Sequence, residues 1–457
     1  MPLLDRRTFL AASGALAATG WSSRALGQVP ASGDVDVIII GAGAAGIAAA
    51  RRVAAAGLRY ALLEAAPRIG GRCVTDTAAF GVPYDMGAHW IHKLTSNPLA
   101  QLGGAGFDLY AAPRAGRLRV PPRAARESEL EQYFSALVRS SRAIMEAGRG
   151  RTDVAAATVL PADLGPWQDA VAFALGPYST GKELKALSAV DFARAGEREG
   201  DGFCRQGYGA LLAKLAEGLR AQVSTPVTRF DWSSGLEAQT PRGRIRGRAA
   251  IVTASVNVLA RGGINFAPDL PPRVLNAARA VDLGFYEHVA LELPGNPLGL
   301  ENDDLVFAAG AKPAALLANI GGTNLCTVDI AGPQAAALAR DGENALRAYG
   351  LEWIASAFGN DVKSRVRRSS ATRWSENPFV FGSFSAAAPN GADARKILME
   401  PLRDRVFFAG EAVHETLWGT VGGAWESGMR AAEAALRRMG IKPKNEEEKP
   451  QRRRSRG

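Results

Sequence analysis

Residues 34–65 read DVDVIIIGAGAAGIAAARRVAAAGLRYALLEA, and their order decides the fold. Val35–Ile40 is an apolar, β-branched run broken only by Asp36, the pattern of a strand buried on both faces of a parallel sheet. Gly41, Gly43 and Gly46 follow at G-x-G-x-x-G spacing, with Ala45 between the last two. Ala44 to Ala56 predicts an Ala-rich helix stopped by Gly57, and Tyr60–Leu63 a second strand ending at Glu64. In this pattern Gly41 permits the tight turn, Gly43 lets a pyrophosphate reach the backbone, and Gly46 lets helix lie on strand. The first amides of the helix then face the phosphates. Glu64, 21 residues beyond Gly43, stands where an acid takes ribose hydroxyls. An acid there favours an unphosphorylated ribose, so FAD or NAD rather than NADP.

The rest of the chain sets the frame for that unit. Its 457 residues exceed what one core of about 250–300 residues supports, so two or more lobes are expected. A 47% hydrophobic content excludes a disordered chain, and three cysteines cannot build a disulfide framework. No apolar run reaches the ~20 residues of a membrane helix, so no integral membrane segment is expected. The net charge of +10 invites a nucleic-acid reading, but residues 1–33 carry +2 and residues 441–457 carry +4 of it, leaving +4 for 34–440. The end, PKNEEEKPQRRRSRG, has the composition of a solvated, disordered tail. Nucleic acid is therefore not an expected partner, and no metal-ligand cluster is visible.

The opening MPLLDRRTFLAASGALAATGW places Arg6 and Arg7 before a short, weakly apolar stretch, with a small-x-small site at Ala25-Leu26-Gly27. This order predicts a signal peptide over 1–33 that resembles the twin-arginine type, which exports folded proteins. The expected partner is the twin-arginine export machinery and the expected location the periplasm or beyond. Export after folding suits a protein that takes up its cofactor first.

Beyond Glu64 the sequence continues APRIGGRCVTDTAAFGVPYDMGAHWIHKLTSNPLAQL. Here the chain resembles the flavin-containing amine oxidases, and the run GAHWIH…NPLAQL is most similar to their polyamine-oxidase branch. The resemblance implies that Arg72 of Gly70-Gly71-Arg72 serves an FAD pyrophosphate. It also implies that Gly87, Ala88, His89 and Trp90 pass beside the isoalloxazine, and that His92 lines the substrate tunnel. It continues in RVFFAGEAVHETLWGTVGGAWESGMRAAEAAL, residues 405–436, with Val406–Phe408 a strand and Gly410-Glu411 the cofactor turn. From Thr420 and Val421 runs a closing helix whose first amides face the flavin. TRWSENPFVFGSFSAAAPNG, residues 372–391, puts Trp374 against the flavin by the same similarity, and Val227 falls where the family's backbone meets adenine. In GYGALLAKLAEGLRAQVSTPVTRF, Leu211, Leu212, Leu215 and Leu219 form the apolar face of a helix.

Three positions depart from the family pattern. Where the family places a lysine that holds a water against flavin N5, LGFYEHVALEL has His288. This favours a dehydrogenase that uses a carrier as much as an oxidase that uses O2. At the two positions of the aromatic cage stand Phe384 and Thr420, with Trp418 a substitute wall. Where some members attach FAD through a cysteine, GSFS has Ser383, so the FAD is expected to be non-covalent. Cys73 reads as a small apolar packer.

The chain's four histidines, His89, His92, His288 and His414, all fall in segments assigned to flavin or tunnel, and histidine is the proton handler near neutral pH. Amine oxidation leaves the redox chemistry to the cofactor, so no catalytic dyad is sought; the protein orients and desolvates. The expected catalytic set is His288 and His92 for protons and water, with Phe384, Trp418 and Thr420 shaping the slot. The partners are a small-molecule amine and O2 or another acceptor. An amino-acid oxidase, an amine dehydrogenase and an exported, non-catalytic FAD-binding protein stay open. The expected fold class is α/β: an FAD-binding, Rossmann-like doubly wound domain from 34–98, 201–284 and 370–440, interleaved with an α+β substrate domain from 99–200 and 285–369. The latter is expected to be helical around Leu130 to Met145 and to open its second part with the strand Val289–Leu293.

Overall fold

A computed structural model describes residues 33–113, 116–195, 200–310 and 312–441. The expected signal, apart from Gly33, and the expected tail, apart from Ile441, lie outside the described residues.

Val37–Ile40 is a strand with all four side chains buried, as its unbroken β-branched run requires. It sits in the middle of a parallel five-stranded sheet in the order Ala221–Gln222, Tyr60–Leu63, Val37–Ile40, Ala249–Val252, Val406–Phe408. The chain leaves Val37–Ile40 to pair on one side with Tyr60–Leu63 and later returns to pair on the other with Ala249–Val252. The order therefore reverses at Val37–Ile40, and the crevice at the carboxyl end of that strand opens at Gly41. This is the α/β, Rossmann-like arrangement the opening stretch predicts.

The first strand starts at Val37 rather than Val35. Gly33–Asp34 belongs to a second five-stranded sheet, beside Gly243–Gly247, and Val35 donates to the Arg246 carbonyl, so the chain changes sheets at Val35–Asp36. The helix Ala44–Ala55 packs against the long closing helix Val421–Arg438. Their approach is close because Gly428 carries no side chain: a Cβ there would lie 2.1 Å from the Ala45 carbonyl oxygen. The helix Tyr208–Leu215 buries Leu211, Leu212 and Leu215, but Leu219 falls beyond its end, after Gly218 at φ +80.

A third, seven-stranded sheet runs Arg368–Ala371, Tyr286–Glu292, Leu325–Ala331, Ala315–Leu317, Leu305–Ala308, Arg117–Val120, Arg123–Ala124. The strand expected at Val289 begins at Tyr286, because its antiparallel pairing with Leu325–Ala331 extends to Tyr286 opposite Ala331. Alternation divides this sheet. Val289, Leu291, Val328 and Ile330 join a core with Leu346 and Trp353 of the helix Glu343–Phe358. Tyr286, His288 and Asp329 point the other way. The long helix Glu127–Gly148 extends the expected 130–145 segment at both ends. Among the described residues no helix is long and apolar enough to cross a membrane.

Candidate active site

The glycine turn separates what the protein needs from what a ligand needs. Gly41 turns at φ +101, and a Cβ there would lie 2.4 Å from the Thr253 hydroxyl oxygen, which donates to the carbonyls of Ile40 and Gly41. A Cβ on Gly46 would sit 1.9 Å from the Gly41 carbonyl oxygen. On Gly43 the only neighbour within 4 Å among the described residues would be the Gly71 Cα, at 3.8 Å. Gly41 and Gly46 are thus required by the fold, whereas Gly43 borders space that the protein does not fill. Buried Glu64 closes this cradle, its Oε2 accepting from the Ala42 amide at 2.7 Å and its Oε1 from the Ala66 amide at 2.8 Å.

Arg72 follows Gly71 and joins the cradle to the far end of the chain. It donates to the Ser383 carbonyl and, at 2.9 Å, to Glu411 Oε1. The other Glu411 oxygen accepts from Ser385 Oγ at 2.7 Å and from the Gly419 amide at 2.8 Å. Burial pushes the Glu411 pKa up, but Arg72, Ser385 and Arg395 outweigh it and hold the carboxyl below its ordinary value. Ser427 of the closing helix pins the preceding Gly410 through both its amide and its carbonyl. A cavity lined by Arg72, Thr253, Ser255, Gly410 and Glu411 lies past the ends of Ala249–Val252 and Val406–Phe408. Val227 is buried in the neighbouring core.

From Arg72 the same strip of backbone reaches a second cavity. The Arg72 carbonyl accepts from the Ala88 amide at 3.0 Å, and the Trp374 indole donates to Met86 at 2.7 Å. The His288 ring meets the Gly87 backbone. The cavity, partly open to solvent, lies between Tyr84, Asp85, His89 and Trp90 on one wall and His288 and Asp329 on the sheet face opposite.

Two imidazole–carboxylate pairs line it. His89 Nδ1 lies 2.8 Å from Asp85 Oδ2, and His288 Nδ1 lies 2.7 Å from Asp329 Oδ1. Asp85 also accepts from Thr75 and the Tyr208 amide, and Asp329 Oδ2 from the Tyr286 hydroxyl at 3.0 Å. Burial works hardest against a charge on His288. Asp329, Glu287 and the Gly87 carbonyl outweigh it, so the His288 pKa is raised. His89 Nε2 and the Tyr84 hydroxyl are buried without a partner, and both residues line the cavity.

The other expected residues have different surroundings. His92 is half-buried and pairs with Asp201 at 2.9 Å, away from the cavity lining. His414 Nε2 pairs with Glu426 at 3.0 Å while its Nδ1 accepts from the Thr416 and Leu417 amides, so it organises a turn. Of the four histidines, His89 and His288 alone share the cavity. Phe384 packs on Tyr286 with centroids 5.8 Å apart, and Tyr286 on His288 at 5.3 Å. Trp418 is 2% exposed and sits behind Phe384 in the same core. The Thr420 hydroxyl caps the closing helix, accepting from the Gly423 amide at 2.9 Å and donating to the Leu417 carbonyl at 2.7 Å. Ser383 carries a buried hydroxyl with no partner. Cys73 is buried and burial pushes its thiol well up, as for an inert packer.

Residues 44–111 and 124–436 match the family described as flavin containing amine oxidoreductase. The chain belongs to that family. It is 27% identical over 441 residues to Lysine-specific histone demethylase 2 of Homo sapiens, covering 87% of this chain and 53% of that protein. It is 24% identical to Polyamine oxidase 4 of Oryza sativa subsp. japonica, covering 88% and 89%. The chain thus spans about half the length of the histone demethylases it matches. Among solved structures, wild-type putrescine oxidase bound to putrescine superposes with a TM-score of 0.74 at 19% identity, over 89% of this chain and 100% of that one. That likeness is one of fold.

In a member of the flavin containing amine oxidoreductase family, a cradle built for a dinucleotide suits FAD. The residues fit it: the space beside Gly43 and the unpartnered Ser383 hydroxyl lie at the two ends of the Arg72 contacts. Asp85 and Asp329 pair with the two cavity histidines and line the cavity, and the sequence pattern did not single them out. A signal for each is present, since Asp329 interrupts the apolar strand LCTVDIA and Asp85 lies one helical turn's spacing before His89.

Proposed function

We propose that the protein is an FAD-dependent amine oxidase, holding non-covalent FAD with its diphosphate at Gly43 and its ring near Gly87. The observation that supports this most is the continuous strip Gly43–Gly71–Arg72–Ala88–Gly87–His288, which joins a dinucleotide cradle to a cavity with two histidines. Gly41, Gly43, Ala45, Gly46, Glu64 and Arg72 would hold the phosphate and ribose end. Gly87 to Trp90, Trp374, Gly410, Glu411, Thr420 and Val421 would hold the ring end, with Val227 at the adenine.

Bound FAD supplies the two-electron step, accepting a hydride from the carbon next to the amine nitrogen, and water then hydrolyses the imine to an aldehyde. The protein's own part is protonic and steric. With Asp85 accepting a hydrogen bond from Nδ1–H, His89 would offer its unpartnered Nε2 as a hydrogen-bond acceptor for the amine N–H. His288, with its charged form favoured, sets a positive charge beside the Asp329 carboxylate on the sheet face of the cavity. Phe384 and Tyr286 form the apolar side, with Trp418 behind them. His92 stands on the approach, supported by its half-buried pairing with Asp201.

The acceptor is O2 or a carrier, and the peroxide measurement below separates the two. We read the chain as two interleaved domains with the boundaries given above, and residues 1–33 as an export signal of the twin-arginine type.

The test is anaerobic mixing of purified holoprotein with monoamines, diamines, polyamines and amino acids, followed by admission of air. Bleaching of the visible flavin band by an amine is expected, and peroxide measured separately identifies the acceptor. A spectrum that every amine leaves oxidised would leave only an FAD-binding protein.

A further inference from the structure

Arg395 and Asp191 have no exposed side-chain surface at all. Arg395 Nε and Nη2 donate to the two oxygens of Asp191, each at 2.8 Å, in a bidentate fork. Its Nη1 donates to Ser385 Oγ and to the Ala412 carbonyl, each at 3.0 Å. The guanidinium lies over the Trp418 ring, 4.9 Å from its centroid, and the Trp418 indole donates to the Asp191 carbonyl at 3.2 Å. Asp191 Oδ2 also accepts from the Ala387 amide at 2.8 Å.

A buried ion pair is weak evidence for stability, since desolvation offsets most of its attraction; what it does well is fix geometry. The groups fixed here are specific. Ser385 follows Phe384 and donates to Glu411, whose other oxygen holds Arg72. Ala412 follows Glu411. Asp191 belongs to the helix Ala189–Arg194, which packs on Glu127–Gly148 away from the parallel sheet. One guanidinium therefore ties that helix, the Gly410–Ala412 turn and the Phe384–Trp418 aromatics together.

We propose that Arg395 is a positioning residue for the amine reaction: through Ser385 and Ala412 it sets the cofactor turn, and through its face it sets Trp418, so that turn and aromatic wall are fixed together. This rests on the reading of turn and wall given under the proposed function. A lysine could keep the charge but neither the fork nor the stack.

The experiment compares Ser385→Ala and Arg395→Lys holoproteins with wild type. It measures melting temperature, the FAD dissociation constant, the visible circular dichroism of the bound flavin, and the anaerobic reduction rate per bound flavin. Ser385→Ala removes one oxygen from the middle of the network and leaves the Asp191–Arg395 pair whole. We expect it to fold, to show an altered flavin dichroism and weaker FAD binding, and to be reduced about tenfold more slowly at saturating amine. Arg395→Lys shows the same changes, larger; should it fail to fold, Ser385→Ala carries the test alone. Lower melting temperatures with dissociation constant, dichroism and reduction rate all unchanged would make the network purely structural and overturn the proposal. If no amine reduces even the wild type, the functional reading fails, while binding and dichroism still decide the positioning role.

Discussion

Gly43 and Gly71 face each other closely: among the described residues, a Cβ built on Gly43 would approach only the Gly71 Cα, at 3.8 Å. At Gly46, three residues on, the same atom would stand 1.9 Å from the Gly41 carbonyl oxygen. The two substitutions to alanine should therefore fail in different ways. Gly46→Ala forces strand and helix apart and is expected to cost about 3 kcal/mol or more, giving insoluble or poorly folded protein. Gly43→Ala keeps the apoprotein's melting temperature and loses FAD, because its methyl occupies the space where a phosphate would meet the backbone. Melting of the apoproteins and titration with FAD make the comparison. A Gly43→Ala protein that binds FAD like wild type would remove the diphosphate from this turn.

His288 and Asp329 predict a pH dependence. The folded pKa of His288 is raised, so the pair's contribution to stability is full below the ordinary histidine value of about 6.5 and is lost as pH rises through the folded value. Asp329→Asn removes the anion from a buried imidazole. It should cost on the order of 3 kcal/mol near pH 6 and progressively less toward pH 9. Denaturant unfolding between pH 5.5 and 9 reads this; a penalty that stays constant across the range would mean that His288 is neutral in the folded protein throughout.

The parts of this molecule that are legible in the sequence are those governed by local rules. Val37–Ile40, the glycine turn and Glu64 follow from strand period, turn sterics and spacing, and together they imply the parallel sheet. Thr420 reads as part of the slot, but its hydroxyl is committed to the helix cap, a local rule that the sequence also contains. What cannot be read is the pairing of distant charges. Asp191 meets Arg395 across 204 residues and His288 meets Asp329 across 41, and no periodicity links either pair. His414 lies in a segment that suggests the cofactor, and its ring bonds the Thr416 and Leu417 amides and Glu426.

The cap at Thr420 gives a simple separation of structure from chemistry. Thr420→Ser keeps an oxygen for the Gly423 amide, whereas Thr420→Ala leaves that amide unpaired at the start of an eighteen-residue helix. The alanine variant is expected to lose about 1 kcal/mol, and the serine variant a small fraction of that. If amine affinity falls in Thr420→Ser while stability holds, the methyl rather than the hydroxyl faces the substrate.

Replacing His288 by lysine tests what the charge at this place does. Both side chains can pair with Asp329, but lysine stays protonated well past the pH at which histidine, even with a raised pKa, gives up its proton. Electron transfer to O2 builds negative charge near the flavin, which a fixed cation favours. Wild-type flavin, reduced with amine or dithionite and mixed with air-saturated buffer, should reoxidise more slowly as pH rises through the folded His288 value. His288→Lys should reoxidise faster and keep one rate from pH 6 to 9. Reduction with dithionite makes the measurement independent of amine binding. Equal rates and equal pH profiles in the two proteins would place the charge of residue 288 outside the reach of the flavin, even though its ring meets the Gly87 backbone.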